Sequence, residues 1–515
     1  MSPGLIGAAL LLALQGAAPP GYDALVKEGV ARSRAGDAAG AEAALQSARS
    51  LAPRRPEALV ELAGLRFLDG RYGEAAALLR PAVRAGADAL AVDLLASSLH
   101  LSGRADEALA AWNRLRRPVL RNVRVVGVFD TRSRLLVPQI ALVEGAVLTR
   151  DAVRETRLRL QETGAFDRVR VRTIPLGGSE ADAEVVVAER HGLGDPAAFA
   201  ALTLSKALQR TAWLQWQNAG GAGLALTGAY RWRASERLGL VRLSWPRPMG
   251  LDATLLAEGW WQGQDYAFGT DRLRLDGRGA EVGLRRVLGP RTVGAAGWRV
   301  GRRTFAGAAE DAARDGRLSG PFVQVEHRLA DGWRHRLDAT ASAFAAGAAS
   351  GSDLAFASGR VALRDTVWLA APEHVAIERS VLAAQLVAGA LSEGAPLDTF
   401  FVPGASSETT LPLRAYRDRR KGVLGRSPIG RSIALLNLEW RRRVIRRGPV
   451  QAGLVVFYDA ARVGGAVGKP SLETLQDLGL GLRMGLLGVV VRVDCAGSLN
   501  GDSNRVFTAG ISQAF

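Results

Sequence analysis

Few side chains in this chain could act as nucleophiles, general bases or metal ligands. Cys495 is the single cysteine, which excludes an intrachain disulfide and a cysteine-based metal site. No histidine pair has metal-ligand spacing, and no motif places a nucleophile beside His327 or His335, as a Ser-His-Asp hydrolase requires. The sequence therefore predicts no enzyme, no metal site and no cofactor. The five histidines are His100, His191, His327, His335 and His374.

The chain is strongly basic, with 67 Lys and Arg against 50 Asp and Glu and a formal net charge of +17. A high-GC genome that favours arginine is one explanation of this excess, and contact with anionic lipid head groups is the other. Charge alone also permits nucleic acid as a partner, but no nucleic-acid motif is present, so none is predicted. Charged residues make up 23% and apolar residues 48%, which favours neither disorder nor a helical membrane bundle.

The first 18 residues are predicted to be a signal peptide. The apolar run from Leu5 to Leu14 is followed by small residues, and it is too short to cross a bilayer. A short buried helix is the alternative. No later stretch reaches ~18 uninterrupted apolar residues, so no transmembrane helix is expected.

Residues 23–117 carry an internal repeat. Gly36, Gly70 and Gly103 begin the similar phrases GDAAGAEAAL, GRYGEAAALL and GRADEALAAW, a period near 34 residues. Small residues at fixed positions allow two antiparallel helices to approach closely. The pattern resembles tetratricopeptide repeats, although the aromatic residue of the first helix is absent. The resemblance implies a concave surface that binds peptides or proteins; a spacer that binds nothing is the alternative.

The pattern changes at Pro118. We expect a strand from Leu120 to Val128, helices over Leu135–Val143 and Asp151–Gly164, and strands over Phe166–Ile174 and Ala183–Val187. The phrases LRNVRVVG, RLQETGAFDRVRV and ADAEVVVAER resemble a POTRA (polypeptide-transport-associated) domain, placed at residues 118–190. Its open sheet edge would accept an extended segment as an added strand. A rigid spacer is the alternative.

From residue 198 to the end, short segments of alternating character follow one another. LTGAYRWRA, RLGLVRLSW and VQAGLVVFYDAA are examples, separated by Gly, Pro, Asp and Asn. Such segments fit membrane strands of ~9–11 residues with one face to lipid and the other to a polar lumen. At roughly 20 residues per strand and connection, about 16 strands are expected. A soluble sandwich or propeller is the alternative.

The end of the chain resembles the recognition signal of outer-membrane barrels, in which a terminal aromatic residue follows alternating apolar residues. Gln513 departs from the usual apolar preference. The five positions that share one face of the last predicted strand are Phe507, Ala509, Ile511, Gln513 and Phe515.

Residues 401–515 resemble the barrel of the BamA/TamA superfamily of outer-membrane assembly factors. In FFVPGASSETTLPLRAYRDRRKGVLGRSPIGRSIALLNLEWRRRV, the family's Val-Arg-Gly-aromatic motif matches Leu413, Arg414, Ala415 and Tyr416. VVFYDAARVGG resembles the family's Phe-Asp-x-Gly strand and places its acidic residue at Asp459. DLGLGLRMGL and VVVRVDCAG match the strands that follow. The resemblance implies a long loop, folded into the lumen, with this motif at its tip.

A long loop inside a wet lumen keeps its conformational entropy unless something anchors it. We expect the Arg414 fork to pair with a wall carboxylate through charge-assisted hydrogen bonds, with Asp459 as the first partner and Glu439 and Asp494 as lesser ones. Two departures from the family put the loop geometry in question, because a methyl group can shift a tight turn. Alanine replaces glycine at Ala415 and at Ala460 and Ala461.

The predicted fold is multidomain: α-helical tetratricopeptide repeats, one α+β POTRA domain, and a C-terminal transmembrane antiparallel β-barrel of about 16 strands. The resemblance implies an outer-membrane protein, with its N-terminal domains in the periplasm, that inserts or translocates client outer-membrane or secreted polypeptides without covalent chemistry. A two-partner-secretion pore and a scaffold whose repeats recruit periplasmic proteins are the alternatives.

Overall fold

The computed structural model describes most of the chain beyond residue 20. The described ranges are 21–177, 179–194, 196–268, 271–307, 313–373, 375–405, 410–467, 474–486, 489–500 and 505–511. The predicted signal peptide, His374, Gln513 and Phe515 lie outside them.

The chain divides into two compact units. The first comprises residues up to 124 with 142–153 and 171–185, and the second comprises residues 125–141, 154–170 and 186–515.

The N-terminal region is helical, as predicted. From residue 21 onward its six helices are α1 (Tyr22–Arg34), α2 (Ala38–Leu51), α3 (Pro56–Leu68), α4 (Tyr72–Arg84), α5 (Ala89–Leu101) and α6 (Ala105–Asn113). They form successive hairpins, and Gly36, Gly70 and Gly103 lie in the turn inside each hairpin with φ of 83°, 71° and 79°. Glycine adopts this left-handed conformation without a Cβ penalty, which explains its recurrence at the repeat period.

Small residues fill the centre of these hairpins. Ala41, Ala75 and Ala108 are fully buried, and Leu45 and Leu79 are buried beside them. Alanine lets paired helices pack closely, while the leucine four positions later fills the groove of its neighbour. The N-terminal region thus buries apolar side chains as a water-soluble protein does. None of the described helices has the length and apolar composition needed to cross a membrane.

A small mixed element follows. Strands β1 (Val119–Val126), β2 (Phe166–Gly177) and β3 (Glu180–Glu189) form a three-stranded sheet of order β1-β3-β2, accompanied by helices α7 (Ser133–Leu136) and α8 (Arg150–Glu162). The predicted β-α-α-β-β order is present. The helix predicted over Leu135–Val143 was wrong in extent, because α7 stops at Leu136 and continues only as a 3-10 turn, Val137–Gln139. Pro138 has no N–H to continue an α-helix.

Most of the second unit is one large antiparallel sheet, as the alternating segments predicted. Fifteen of its strands have seven or more residues, and two have only two residues. Each long strand pairs with its neighbour along the chain, and β13 pairs directly with β16. The strands are β4 (Thr211–Ala219), β5 (Leu224–Arg233), β6 (Glu236–Pro246), β7 (Thr254–Phe268), β8 (Asp271–Gly289), β9 (Thr292–Gly307), β10 (Gly316–Asp331), β11 (His335–Ala346), β12 (Phe356–Trp368), β13 (Ser380–Leu391), β14 (Arg419–Arg420), β15 (Val423–Leu424), β16 (Gly430–Arg447), β17 (Val450–Ala466), β18 (Thr474–Leu486), β19 (Val489–Ser498) and β20 (Arg505–Ile511).

The start of this region differs from the prediction. Strand character was expected from residue 198, but residues Pro196–Leu208 form a helix, α9. Its sequence, PAAFAALTLSKAL, is rich in alanine and leucine, the strongest helix formers, and begins with proline, which is favoured in the first helical turn. The large sheet therefore starts at Thr211.

The two faces of the large sheet have opposite chemistry. In β18, the outward side chains Leu478, Leu480, Leu482, Met484 and Leu486 are 40% to 65% exposed. The alternate positions of the same strand bury an acid and an arginine, Asp477 and Arg483. Successive residues of a strand point to opposite faces, so a period of two separates an apolar outer face from a polar inner face.

Candidate functional site

The candidate site lies where a long loop crosses the inner face of the large sheet. The loop spans residues 392–429 between β13 and β16 and contains β14 and β15. Its LRAY segment, residues 413–416, packs against β16, β17, β18 and β19. Further along, Leu424 pairs with Tyr266 of β7. The loop is therefore attached both to β16–β19, near the end of the chain, and to β7, near the start of the sheet.

Arg414 is the centre of the first attachment. Its side chain is 2% exposed, and that of Asp459 is fully buried. Arg414 Nε donates to Asp459 Oδ2 at 2.8 Å, and Nη2 donates to Asp459 Oδ1 at 2.8 Å. Nη1 donates to Glu439 Oε1 at 2.5 Å, whereas Asp494 Oδ2 is 3.9 Å away. This is the two-point geometry of a guanidinium and a carboxylate, shared with a second acid.

The guanidinium is also stacked. The Arg414 Cζ atom lies 3.5 Å from the centroid of the Phe457 ring, so one face of the cation meets an aromatic surface. Its edge is used for hydrogen bonds and its face for the cation–π contact, an arrangement that lysine cannot reproduce. Asn437 holds the acceptor in place, because its Nδ2 donates both to Asp459 Oδ1 and to the backbone oxygen of Pro412, each at 2.7 Å.

A balanced set of charges surrounds this pair. Glu439 Oε2 accepts from Arg441 Nε at 2.6 Å, and Asp494 Oδ1 accepts from Arg483 Nη1 at 2.5 Å. Because four arginines face four carboxylates, the buried cluster carries no large net charge, which limits the cost of removing it from water. Its members are Arg414, Arg441, Arg483, Arg492, Glu439, Asp459, Asp477 and Asp494. We call this set the charged cluster.

The rest of the LRAY segment is fixed as well. Ala415 N–H donates to Asp477 Oδ2 at 2.9 Å, and the Tyr416 hydroxyl lies 2.7 Å from Ser498 Oγ. Leu413 is fully buried in an apolar group that includes Ala461. Ala415 has no positive φ, and its methyl group packs against Val455, Phe457 and Ala496. The alanine at this position is therefore accommodated without left-handed backbone strain.

A second attachment involves residues that the sequence did not single out. Glu236, at the start of β6, lies 2.6 Å from Arg419 Nη1 of the loop and also accepts from Arg231 and Arg233. Gln264 Nε2 donates to the backbone oxygen of Gly422 at 2.9 Å. These contacts fix the far part of the loop on β6 and β7.

Asp477, Arg483 and Glu236 were not predicted as partners of the loop. Their role depends on register: Asn437, Asp459 and Asp477 are consecutive cross-strand partners. Acidic residues preceding outward apolar runs, such as Asp477 in DLGLGLRM, were the available signal.

The remaining predicted site residues lie elsewhere. Phe507 is 69% exposed on the outer face of β20, and Ala509 shares that face. Ile511 is the last described residue of the strand. Ala460 lies next to Asp459 in β17, at an outward position.

The two histidines considered for catalysis contact different residues. His327 Nδ1 lies 2.8 Å from Thr292 Oγ1, and His335 Nε2 lies 2.8 Å from Asp365 Oδ1. These contacts do not join one hydroxyl, one histidine and one acid into a hydrolytic triad.

Although no metal site was expected, the structure brings Asp130, Glu189 and His191 together, with their ligand atoms within 4.8 Å of one another. Both oxygens of Glu189 already accept backbone N–H groups, from Phe129, Asp130 and Thr131. Burial raises the pKa of Glu189, but these hydrogen bonds outweigh it and lower the pKa below its ordinary value. Glu189 is therefore a structural anchor for the turn after β1.

The chain matches no family model and no curated protein. It is similar in structure to CdiB from Escherichia coli, with a TM-score of 0.53, 13% identity, and coverage of 82% of this chain and 87% of that one. CdiB from Acinetobacter baumannii gives a TM-score of 0.50, 12% identity, and coverage of 77% and 74%. A structure of BamA from Haemophilus ducreyi lacking POTRA domains 1-3 gives 0.45, 15% identity, and coverage of 77% and 85%. The likeness to the two CdiB structures shows that the large antiparallel sheet shares their fold.

Proposed function

We propose that this protein is an outer-membrane β-barrel that inserts client polypeptides into the outer membrane or moves them across it without covalent chemistry. The observation that carries the proposal is the loop over residues 392–429, attached to the inner face through Arg414. The attachment point of this loop lies within the charged cluster, whose members are all buried except the half-buried Arg441. The fold shared with CdiB supports the same class of protein.

The surface of the large sheet supports a membrane location. Its outer face carries rows of large apolar side chains, whereas its inner face carries acids and arginines, which is the pattern of a strand between lipid and a polar lumen. A membrane sheet needs closure, because an open edge leaves N–H and C=O groups unsatisfied in hydrocarbon. The strand order, in which β20 and β4 are neighbours, supports a closed barrel.

The N-terminal elements suit the periplasm and a polypeptide partner. We assign α1 to α6 to tetratricopeptide repeats and residues 118–190 to a POTRA domain. In the small sheet of order β1-β3-β2, strand β2 lies at an edge and has 12 residues, long enough to pair with an extended client segment. The repeats would recruit periplasmic proteins, and the basic surface would meet anionic outer-membrane lipids.

A transport pore of the two-partner-secretion type is the second candidate. It is favoured by a cavity of about 530 Å³ on the inner face, between the strands and residues 398–401 of the loop. Its wall mixes aromatic with charged side chains, among them Trp260, Phe344, Glu281 and Arg299. In this candidate function, the wall would contact a passing polypeptide without binding it tightly. Single-channel conductance in planar bilayers tests this candidate directly.

The experiment that tests the proposal combines depletion with complementation. The protein should fractionate with the outer membrane and show heat-modifiable gel mobility, and its depletion should remove particular outer-membrane or secreted proteins. Wild type should restore them, whereas Arg414→Ala should not, because losing one partner of a buried pair costs on the order of a few kcal/mol and frees the loop. Arg417→Ala is the matched control, since Arg417 is an exposed arginine of the same loop.

Recovery of the chain in the soluble periplasm would contradict the barrel assignment. An unchanged outer-membrane protein profile after depletion would leave the scaffold alternative, in which the helical repeats recruit periplasmic proteins and the barrel only anchors them. Equal complementation by Arg414→Ala and Arg417→Ala would show that the loop attachment does not serve client assembly.

A further inference from the structure

A second feature of the inner face is a cavity of about 340 Å³ lined by α8 and by residues of strands β9 to β12. Its volume lies within the range of small-molecule sites, about 300–1,000 Å³. All of its lining residues belong to the second compact unit. We call it the arginine cavity, because six arginines line it: Arg154, Arg157, Arg291, Arg328, Arg336 and Arg364.

Helix α8 closes the cavity through two ionic contacts with the strands. The Arg154 side chain is 3% exposed, and its Nη2 lies 2.9 Å from Asp331 Oδ2 while also donating to the Asp331 backbone oxygen. At the end of the helix, Glu162 accepts from Arg285 Nε, and Arg285 also donates to both oxygens of Glu326 at 2.9 Å. The wall of the cavity is therefore fixed before any ligand arrives.

The carboxylates that line the cavity are already paired. Glu162 and Glu326 are held by Arg285, which lies outside the lining. Asp338 accepts from Arg328 Nε at 3.0 Å and from Arg336 Nε at 2.5 Å. Six arginines thus face three acids that have partners. Across the described ranges, Arg291 and Arg364 take part in no ion pair, so positive charge remains to meet a ligand.

We propose that the arginine cavity binds a phosphorylated small molecule, with the phosphate held by Arg291 and Arg364. A guanidinium fork matches two phosphate oxygens at once, and the neighbouring wall is already held by its own ion pairs. The cavity is roughly ten times the volume of one water in the liquid, so it has room for a diphosphate or for a phosphate with its attached head group. The shared chemistry is a phosphate group, supplied either by a soluble phosphate compound or by a lipid head group.

The test is a binding measurement on the full chain in detergent micelles. Isothermal titration with pyrophosphate should show saturable binding that persists at near-physiological ionic strength. The double variant Arg291→Gln/Arg364→Gln should bind at least roughly tenfold more weakly, because it loses charge-assisted hydrogen bonds to the anion. The matched control is Arg360→Gln, which removes an arginine of the same face that lines the other cavity and contacts Thr410. It should bind pyrophosphate as wild type does.

Two further binding measurements distinguish a lipid head group from a soluble phosphate compound. Dihexanoyl phosphatidic acid that binds more tightly than pyrophosphate would identify a lipid head group, and the reverse order would identify a soluble phosphate. Absence of pyrophosphate binding, equal binding by the double variant, or tighter binding of a soluble polyglutamate peptide would each overturn the proposal. Heat-modifiable mobility of the double variant shows that the barrel has folded. The readout is binding alone, so it does not depend on client assembly.

Discussion

The helical N-terminal region and the large sheet bury opposite kinds of side chain. The helices bury apolar residues, with Ala75 and Leu79 fully enclosed, and place ion pairs such as Arg66–Glu42 near the surface. The sheet reverses this arrangement: Arg414 and Asp459 are enclosed, while Leu480 is 65% exposed. The helical region therefore has an apolar interior and a charged surface. The large sheet has an apolar outer face and a charged inner face.

This inversion indicates that the two regions have different surroundings. Water favours burial of apolar surface by roughly 25 cal/mol per Å², so a row of five exposed apolar side chains along β18 would be costly in water. In lipid the same row costs nothing, and it is the polar side chains that must be enclosed.

The largest effect is expected inside the helical region. Leu79→Ala removes a fully buried side chain from the helical core, and such changes cost about 2–5 kcal/mol through lost burial and a residual cavity. The loss of helical far-UV circular dichroism on heating should shift to lower temperature, while the heat-modifiable gel mobility proposed for the large sheet stays unchanged. A simultaneous loss of both signals would show that the regions are not independent.

The next effect lies on the outer face of the sheet. Leu480→Arg places a charge where we expect lipid, which costs about 2–4 kcal/mol near the bilayer midplane. Leu68→Arg is the matched change in the helical region, at a side chain that is 81% exposed, and it should alter stability by less than about 0.5 kcal/mol. Unfolding by urea in lipid vesicles measures the effect of Leu480→Arg, and thermal unfolding of the helices measures the effect of Leu68→Arg. Equal effects would mean that β18 faces water.

The helices and strands of both regions could be predicted from the periodicity of the sequence. The contacts between them could not. The glycine repeat indicated the helical hairpins, and alternation indicated strands such as β17. Helix α9 was not predicted, because its alanine-rich sequence lies directly before the alternating segments and has no strong period of its own. The acids around Arg414 were matched only by resemblance. Asp477 and Glu236 were missed because cross-strand register and the path of a long loop depend on residues distant in sequence.

The smallest effect is the loss of stability of the helical region at low pH, where Glu107 becomes protonated. Burial raises the pKa of Glu107, but hydrogen bonds from Arg80 and Arg104 outweigh it and lower the pKa below its ordinary value. The stabilisation is therefore complete above the unfolded pKa, about 4.3, and is lost as pH falls through the lower folded value.

Glu107→Gln should consequently make the melting temperature of the helices less dependent on pH in this acidic range. The difference from wild type should stay within about 1 kcal/mol, as is usual for partly exposed ion pairs. Circular dichroism melts at several pH values measure it. A variant that is as acid-sensitive as wild type would show that the two arginines do not stabilise the carboxylate.

The attachment of the loop to the inner face is the central claim, and a double-mutant cycle between Arg414→Ala and Asp459→Ala tests it most directly. Unfolding free energies in lipid vesicles should give a coupling well above the error of additivity, within the range of about 0.5–3 kcal/mol seen for residues in one network. The parallel cycle between Arg417→Ala and Asp459→Ala should be additive. A coupling for Arg414 and Asp459 within about 0.3–0.5 kcal/mol of zero would contradict the account.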